Sequence, residues 1–144
     1  MYDTLIIGYG VVGKNLENEL KAYQPDIIDK YNVEENKITK IEYDVAFICV
    51  NTPFTEDNPC DYTEVVNAIN ENKNKMKKDG IFVIKSTILP GTTDKIRKET
   101  GARIVFSPEY YGATQHNKNF DFGFTILGGE KEDGIRVVQI LQQI

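Results

Sequence analysis

The 144-residue sequence has no tryptophan, two cysteines and a single histidine, His116. Cys49 and Cys60 are too few for a disulfide scaffold, and their separation of eleven positions is not a zinc spacing. With one histidine and no other His or Cys pair, no transition-metal site is expected, and a Ser-His-Asp site would have to be built around His116 alone. The longest unbroken apolar run, Val45 to Val50, is six residues, so no segment can span a bilayer as a helix. Residues 1–8 lack the basic start, apolar stretch and small-residue cleavage site of a signal peptide, which points to a soluble, cytoplasmic protein. Basic runs are missing too. Seventeen Lys and Arg face 22 Asp and Glu, for a net charge of −5, so neither nucleic acid nor an anionic membrane is expected as a charge-driven partner. Chemistry, if present, would come from a bound cofactor.

What is present is alternation. Thr4 to Ile7 reads as a buried strand that runs into a glycine cluster. Val12, Leu16 and Leu20 mark one face of a helix that should stop before Pro25. Ile27 and Ile28 form a short second strand ending at Asp29, and residues 30–43 read as a polar loop with at most one helical turn. Val45 to Val50 is a third strand with the composition of a sheet covered on both faces. Asp61 and Glu64 have capping-box spacing and open a helix with Val65, Ile69 and Met76 along one side. Asp79-Gly80 reads as a turn before a fourth strand, Ile81 to Ile84. Pro90-Gly91 starts a helix that Gly101 ends. A fifth strand, Ile104 to Phe106, is followed by a polar loop from Thr114 to Asn119, a sixth strand over Phe124 to Leu127, and helical pattern from Glu130. The order predicts a single domain over residues 1–144: a Rossmann-type, doubly wound α/β/α fold on a six-stranded parallel sheet, in spatial order 3-2-1-4-5-6.

Gly8-Tyr9-Gly10-Val11-Val12-Gly13 spells G-x-G-x-x-G between a predicted strand and a predicted helix, where the motif has physical content. Gly8 suits the tight turn, Gly10 a close backbone approach to a pyrophosphate, and Gly13 close packing of helix on strand. The positive end of the helix favours an anion. Asp29 lies 21 residues after Gly8, about where an acid meets the adenosine ribose hydroxyls. A carboxylate there repels a 2′-phosphate, which favours NAD over NADP, while the adjacent Lys30 works against that preference. Polar residues also gather at three further strand ends: Val50-Asn51-Thr52, Lys85-Ser86-Thr87 and Ser107-Pro108-Glu109. In this fold ligands lie outside those ends.

The segments I-I-G-Y-G-V-V-G, F-I-C-V-N-T-P, I-K-S-T-I-L-P-G-T-T and F-S-P-E-Y, in this order and with Gly128-Gly129 after them, resemble the N-terminal NAD-binding domain of UDP-glucose/GDP-mannose 6-dehydrogenases. The glycines are common to many enzymes; the K-S-T-x-x-P-G-T-T and S-P-E pieces are far more specific. The resemblance implies an oxidoreductase that oxidises C6 of a nucleotide sugar, UDP-glucose in type, with two NAD and a covalent thioester on a cysteine. It makes Thr87 the threonine beside the reacting centre and Glu109 the glutamate near substrate and hydrolytic water, with Thr52 and Ser86 lining the cofactor cleft.

The family's catalytic cysteine, lysine and asparagine lie in a helical middle and a second α/β domain beyond the position of Ile144, and neither Cys49 nor Cys60 matches the nucleophile. Full oxidation to the uronate is therefore not expected of these residues alone, and whether the chain is itself an enzyme stays open. Ala113 stands where many members carry an acid, Tyr110-Tyr111-Gly112 replaces the usual continuation, and the segment between the second and third strands is shortened. Two other readings remain. One is a stand-alone NAD-binding or interaction module, with the last helix (Val137, Val138, Ile140, Leu141, Ile144) apolar on more than one face and suited to a homodimer or a missing C-terminal half. The other is a small complete dehydrogenase with Lys85 as its base.

Overall fold

The computed structural model describes residues 1–109 and 124–142. Its elements are β1 (Thr4–Ile7), α1 (Val11–Glu19), β2 (Asp26–Ile28), β3 (Tyr43–Ile48), α2 (Thr63–Asn72), β4 (Met76–Ile84), α3 (Thr92–Thr100), β5 (Ile104–Phe106), β6 (Gly128–Gly129) and α4 (Lys131–Leu141). Strand side chains alternate between faces, and the sequence places an apolar residue at nearly every position, so both faces must be covered. Leu5, Ile7, Ala46, Ile48, Phe82, Ile84 and Ile104 pack against Val65, Ile69 and Ile96 of α2 and α3. Ile6, Val45, Phe47, Ile81, Val83 and Val105 pack against Leu16, Leu20, Val137 and Ile140 of α1 and α4. Each such fully buried side chain contributes roughly 1.5–3 kcal/mol of transfer free energy. The result is the expected doubly wound α/β/α sandwich.

The strand order is β2-β1-β3-β4-β5-β6, which corrects the expected 3-2-1-4-5-6. The chain runs from β2 directly to the far side of β1, and among the described residues no strand lies beyond β2. Residues 30–42 are polar, with a single 3-10 turn at Val33–Glu35 and one antiparallel bridge from Lys37 to Ile27. They carry no apolar run able to extend the sheet. The sheet is also not wholly parallel. β6 is two residues long, pairs antiparallel to β5 and falls on Gly128–Gly129. Phe124 and Ile126 of the expected sixth strand are about half exposed instead. The polar loop expected over Thr114 to Asn119 lies outside the described residues.

Smaller differences have local causes. Helix α2 starts at Thr63 rather than Asp61, because Asp61 accepts hydrogen bonds from Thr63 N–H and Thr63 Oγ1 in a turn before the helix. It ends where the buried Asn72 side chain donates to the Ala68 carbonyl at 2.9 Å, so Met76 begins β4 instead of extending the helix. The Asp79-Gly80 turn is a bulge within β4: Tyr43 pairs with Met76 and Val45 with Ile81. The bulge carries Lys77 to Asp3 (2.7 Å) and Asp44 (2.8 Å).

Asp26 opens β2 fully buried and anchors the long β2–β3 return. Its carboxylate accepts from Thr39 N–H and Oγ1, Lys40 N–H and Tyr43 Oη, with Lys40 Nζ at 3.2 Å. Burial opposes its charge, but these donors outweigh burial and hold the carboxyl far below its ordinary 3.8. A depressed folded-state pKa means that the unfolded chain takes up protons first as pH falls. The stabilisation is therefore complete above about pH 4 and lost progressively below it. Asp29 and Asp44 shift in the same direction. Denaturant unfolding between pH 7 and pH 3 should show this loss, and Asp26→Asn should cost about 2 kcal/mol at pH 7 while flattening the acid limb. An unchanged acid limb in the variant would show that Asp26 does not anchor the return.

Candidate functional site

The sheet order reverses between β1 and β3, and loops leaving those strands in opposite directions open a crevice at their carboxyl ends. The glycine turn forms its floor. Gly8 has φ +93°, and a Cβ there would lie 2.7 Å from the Cys49 carbonyl oxygen. A Cβ on Gly13 would lie 2.2 Å from the Gly8 carbonyl oxygen, so no larger residue lets α1 sit this close to the turn. A Cβ on Gly10 meets nothing within 4 Å. Gly10 is the N-cap of α1, the helix has no side-chain cap, and its first turn holds no acid. Uncapped N–H groups thus open into the crevice with the positive end of the helix dipole behind them.

Asp29, 7% exposed, closes the far side. One carboxylate oxygen accepts from Tyr9 N–H at 2.6 Å, and the other from Tyr31 N–H (2.8 Å) and Asn32 N–H (2.7 Å). Burial raises the cost of its charge; the three backbone donors more than offset that and hold the carboxyl below its ordinary value. Tyr9 covers the turn from outside. Its ring lies under Lys14 Nζ at 5.4 Å, and its hydroxyl donates to Glu17, which together with burial pushes the phenol up to about 12.

Two adjacent compartments result, with Gly10, Cys49, Val50 and Asn51 on the walls of both. The first, about 510 Å³, lies between the ends of β1, β2 and β3 and the first turns of α2, with Gly8, Gly10, Asp29, Lys30, Val50 and Asn51 on its walls. The second, about 350 Å³, continues past Gly10 and Asn51 towards Thr52, Lys85, Ser86, Thr87 and Glu109, with Val11 and Val12 on the opposite side. Hydrogen bonds tie the strand tips around it. Ser86 Oγ donates to the Val50 carbonyl (2.7 Å), while Thr52 Oγ1 (2.6 Å) and Cys60 Sγ (3.2 Å) both donate to the Thr87 carbonyl. Lys85 Nζ lies 3.1 Å from Glu109 Oε2 and 3.2 Å from Ser107 Oγ, in a pair whose side chains are only 11% and 13% exposed.

All the residues expected from the sequence to line a cleft do so except Gly13, which is packed beneath the turn. Several residues on these walls were not anticipated. Tyr31 and Asn32 follow Asp29 closely enough to have been inferred as its donors. Ser107, already named at the end of the fifth strand, and Cys60 are buried behind the rim, and their partners lie too far away in sequence for local spacing to show them. Cys49 reaches both compartments, but burial pushes its thiol up to about 12, so it is not a thiolate near neutral pH. Among the described residues no cluster of three or more His, Cys, Asp or Glu can hold a metal ion, and no helix is long and apolar enough to cross a membrane. Tyr110, Tyr111, Gly112, Ala113 and His116 lie outside the described residues.

A glycine turn under an uncapped helix, an acid at the end of the neighbouring strand and a crevice at the reversal of strand order define a dinucleotide-binding domain of the oxidoreductase type. Residues 12–144 match the profile of the UDP-glucose/GDP-mannose dehydrogenase family, NAD binding domain; the chain belongs to that family and NAD is its cofactor. It is 42% identical over 77 residues to a UDP-N-acetyl-D-mannosamine dehydrogenase of Methanococcus aeolicus, an alignment covering 47% of this chain and 18% of the relative. The enzyme of the same name from Pyrococcus horikoshii is 26% identical across 93% of this chain and 38% of its own. In structure, the UDP-N-acetyl-mannosamine dehydrogenase of Staphylococcus aureus superposes with TM-score 0.76 at 20% identity, over 97% of this chain and 45% of that one. The chain thus spans less than half the length of these relatives.

The two inner glycines should respond differently to alanine. Gly13→Ala forces the Gly8 carbonyl or α1 to move and should cost 3 kcal/mol or more, at roughly the upper end of single substitutions. Gly10→Ala meets no protein atom, so it should leave the thermal midpoint nearly unchanged while weakening NAD at least about tenfold. Equal loss of stability in both variants would refute the separation.

Proposed function

We propose that residues 1–144 are the cofactor-holding part of a UDP-sugar 6-dehydrogenase. The single observation behind this is that the two compartments share a wall at Gly10, Cys49, Val50 and Asn51, with an uncapped helix end and Asp29 at one side and a polar pocket of three strand tips at the other. Gly8, Tyr9, Gly10, Val11 and Val12 supply backbone for the pyrophosphate, with Gly13 allowing the helix its approach. Asp29 has lone pairs left for the ribose hydroxyls after accepting three N–H groups, and Lys30 flanks it. Val50, Asn51, Thr52 and Ser86 line the nicotinamide side. When bound, NAD supplies the acceptor for hydride from the sugar's C6 alcohol.

Thr87 and Glu109 border the substrate end. The carbonyl of Thr87 is held by Thr52 and Cys60, which leaves its exposed hydroxyl to orient the C6 oxygen. Glu109, paired with Lys85 in a shielded pocket, presents a carboxylate to the alcohol or water at this end of the cleft. Neither thiol is suited to carry a thioester: Cys49 is held as the thiol and Cys60 donates to a carbonyl. The sugar nucleotides to test are UDP-N-acetyl-D-mannosamine, named for the matched relatives, and UDP-glucose, expected from the sequence motifs.

Calorimetric titration with NAD, NADP and an Asp29→Asn variant tests the cofactor half. NAD should bind, NADP more weakly, and the variant should lose about tenfold or more in NAD affinity. No binding at millimolar NAD would overturn the proposal. With NAD and either UDP-sugar the chain should give no sustained NADH and no uronate; steady turnover would show a nucleophile elsewhere in it.

The alternative, an NAD-binding or interaction module without turnover, draws on α4. Val137 and Ile140 are in the core, but Ile135 and Val138 border a groove of about 530 Å³ with Leu127. Sedimentation at several concentrations should reveal a dimer if two copies share this face, and a strict monomer would count against self-association.

A further inference from the structure

The first compartment contains a charge arrangement that the glycine motif and Asp29 do not explain. Lys30, the cation next to Asp29, does not point at open solvent alone. Its Nζ reaches across the crevice from the end of β2 to the first turn of α2, where it meets the Glu64 carboxylate at 3.4–3.5 Å. The same Nζ lies 5.7 Å from the centroid of the Tyr31 ring. Glu64 sits in the first turn of α2, where the helix dipole favours a negative charge. Among the described residues, Asp29, Lys30, Glu64 and Glu71 are the charged ones on the walls of this compartment, so three carboxylates surround one ammonium there.

In folds of this type a 2′-phosphate on the adenosine is accepted where a cation stands beside the ribose acid, and refused where the acid stands alone. Lys30 is such a cation by position. We propose that Glu64 is a specificity-determining residue: by engaging Lys30 across the crevice it withdraws the cation beside Asp29 that would neutralise a 2′-phosphate, and so makes Asp29 discriminate against NADP. This rests on the proposed NAD site above and extends it to a residue on a different element. Glu64 acts through Lys30, and Glu71 adds negative potential at the same mouth.

The pair is largely exposed, 59% for Lys30 and 32% for Glu64, so it is screened by salt and its effect is modest. The test is titration of NAD and NADP, at one low ionic strength, into the wild-type chain, Glu64→Gln, Lys30→Met and the double variant. Glu64→Gln should bind NADP about fivefold tighter than wild type, with NAD affinity unchanged within about twofold. The gain should vanish in the double variant, because its route is the released ammonium. No gain in Glu64→Gln overturns the proposal. So does a gain that persists without Lys30, which would assign the effect to the loss of one negative charge alone. Loss of NAD affinity in Glu64→Gln also overturns it, by making Glu64 a direct or structural contact. If the wild-type chain binds neither nucleotide, the reading of the cleft as an NAD site fails first and this inference goes with it.

Discussion

The carboxylate of Asp29 joins the two halves of the crevice. It accepts a hydrogen bond from Tyr9 N–H in the glycine turn, and two more from Tyr31 and Asn32 where the chain leaves β2. The tip of β1 and the tip of β2 are thereby held at one separation, with a negative charge fixed between them. Gly8 and Gly13 make that arrangement possible, since any side chain at either position would strike a backbone carbonyl oxygen. The crevice proposed to take the dinucleotide is therefore a consequence of close backbone packing, with its acid held by main-chain donors.

The opposite side of the cleft is assembled differently. There, side chains from one strand tip bind carbonyls of the next: Ser86 to Val50, and Thr52 and Cys60 to Thr87. These contacts convert three independent loops into one rim. The Lys85–Glu109 pair closes it beside β5. Such a rim is suited to holding a reacting group, because its polar atoms are already oriented before any ligand arrives. The return between β2 and β3 lies at the outer edge of the sheet. Asp26 anchors that return by binding Thr39, Lys40 and Tyr43.

Much of this was legible in the residues. The alternating apolar runs gave the strands, the 3.6-residue spacing gave the helices, and the ordered motifs pointed to the family. The elements misread were those whose boundaries depend on distant partners. Met76 looks helical by spacing but pairs with Tyr43 across the sheet. Phe124 and Ile126 look like a strand, yet the edge of the sheet is formed by two glycines that can approach Val105 and Phe106 closely. Asp61 and Glu64 look like a capping box, but Asp61 serves a turn and Glu64 turns to Lys30.

The sequence alone determined the sandwich, its glycine turn and the acid at the end of β2, because these depend on local periodicity and on residues a few positions apart. Only the tertiary structure decided the strand order, the rim around Thr87, the partner of Glu109 and the partner of Lys30. Each of those is a contact between residues separated by 20 positions or more, and no local pattern encodes which distant side chain will arrive.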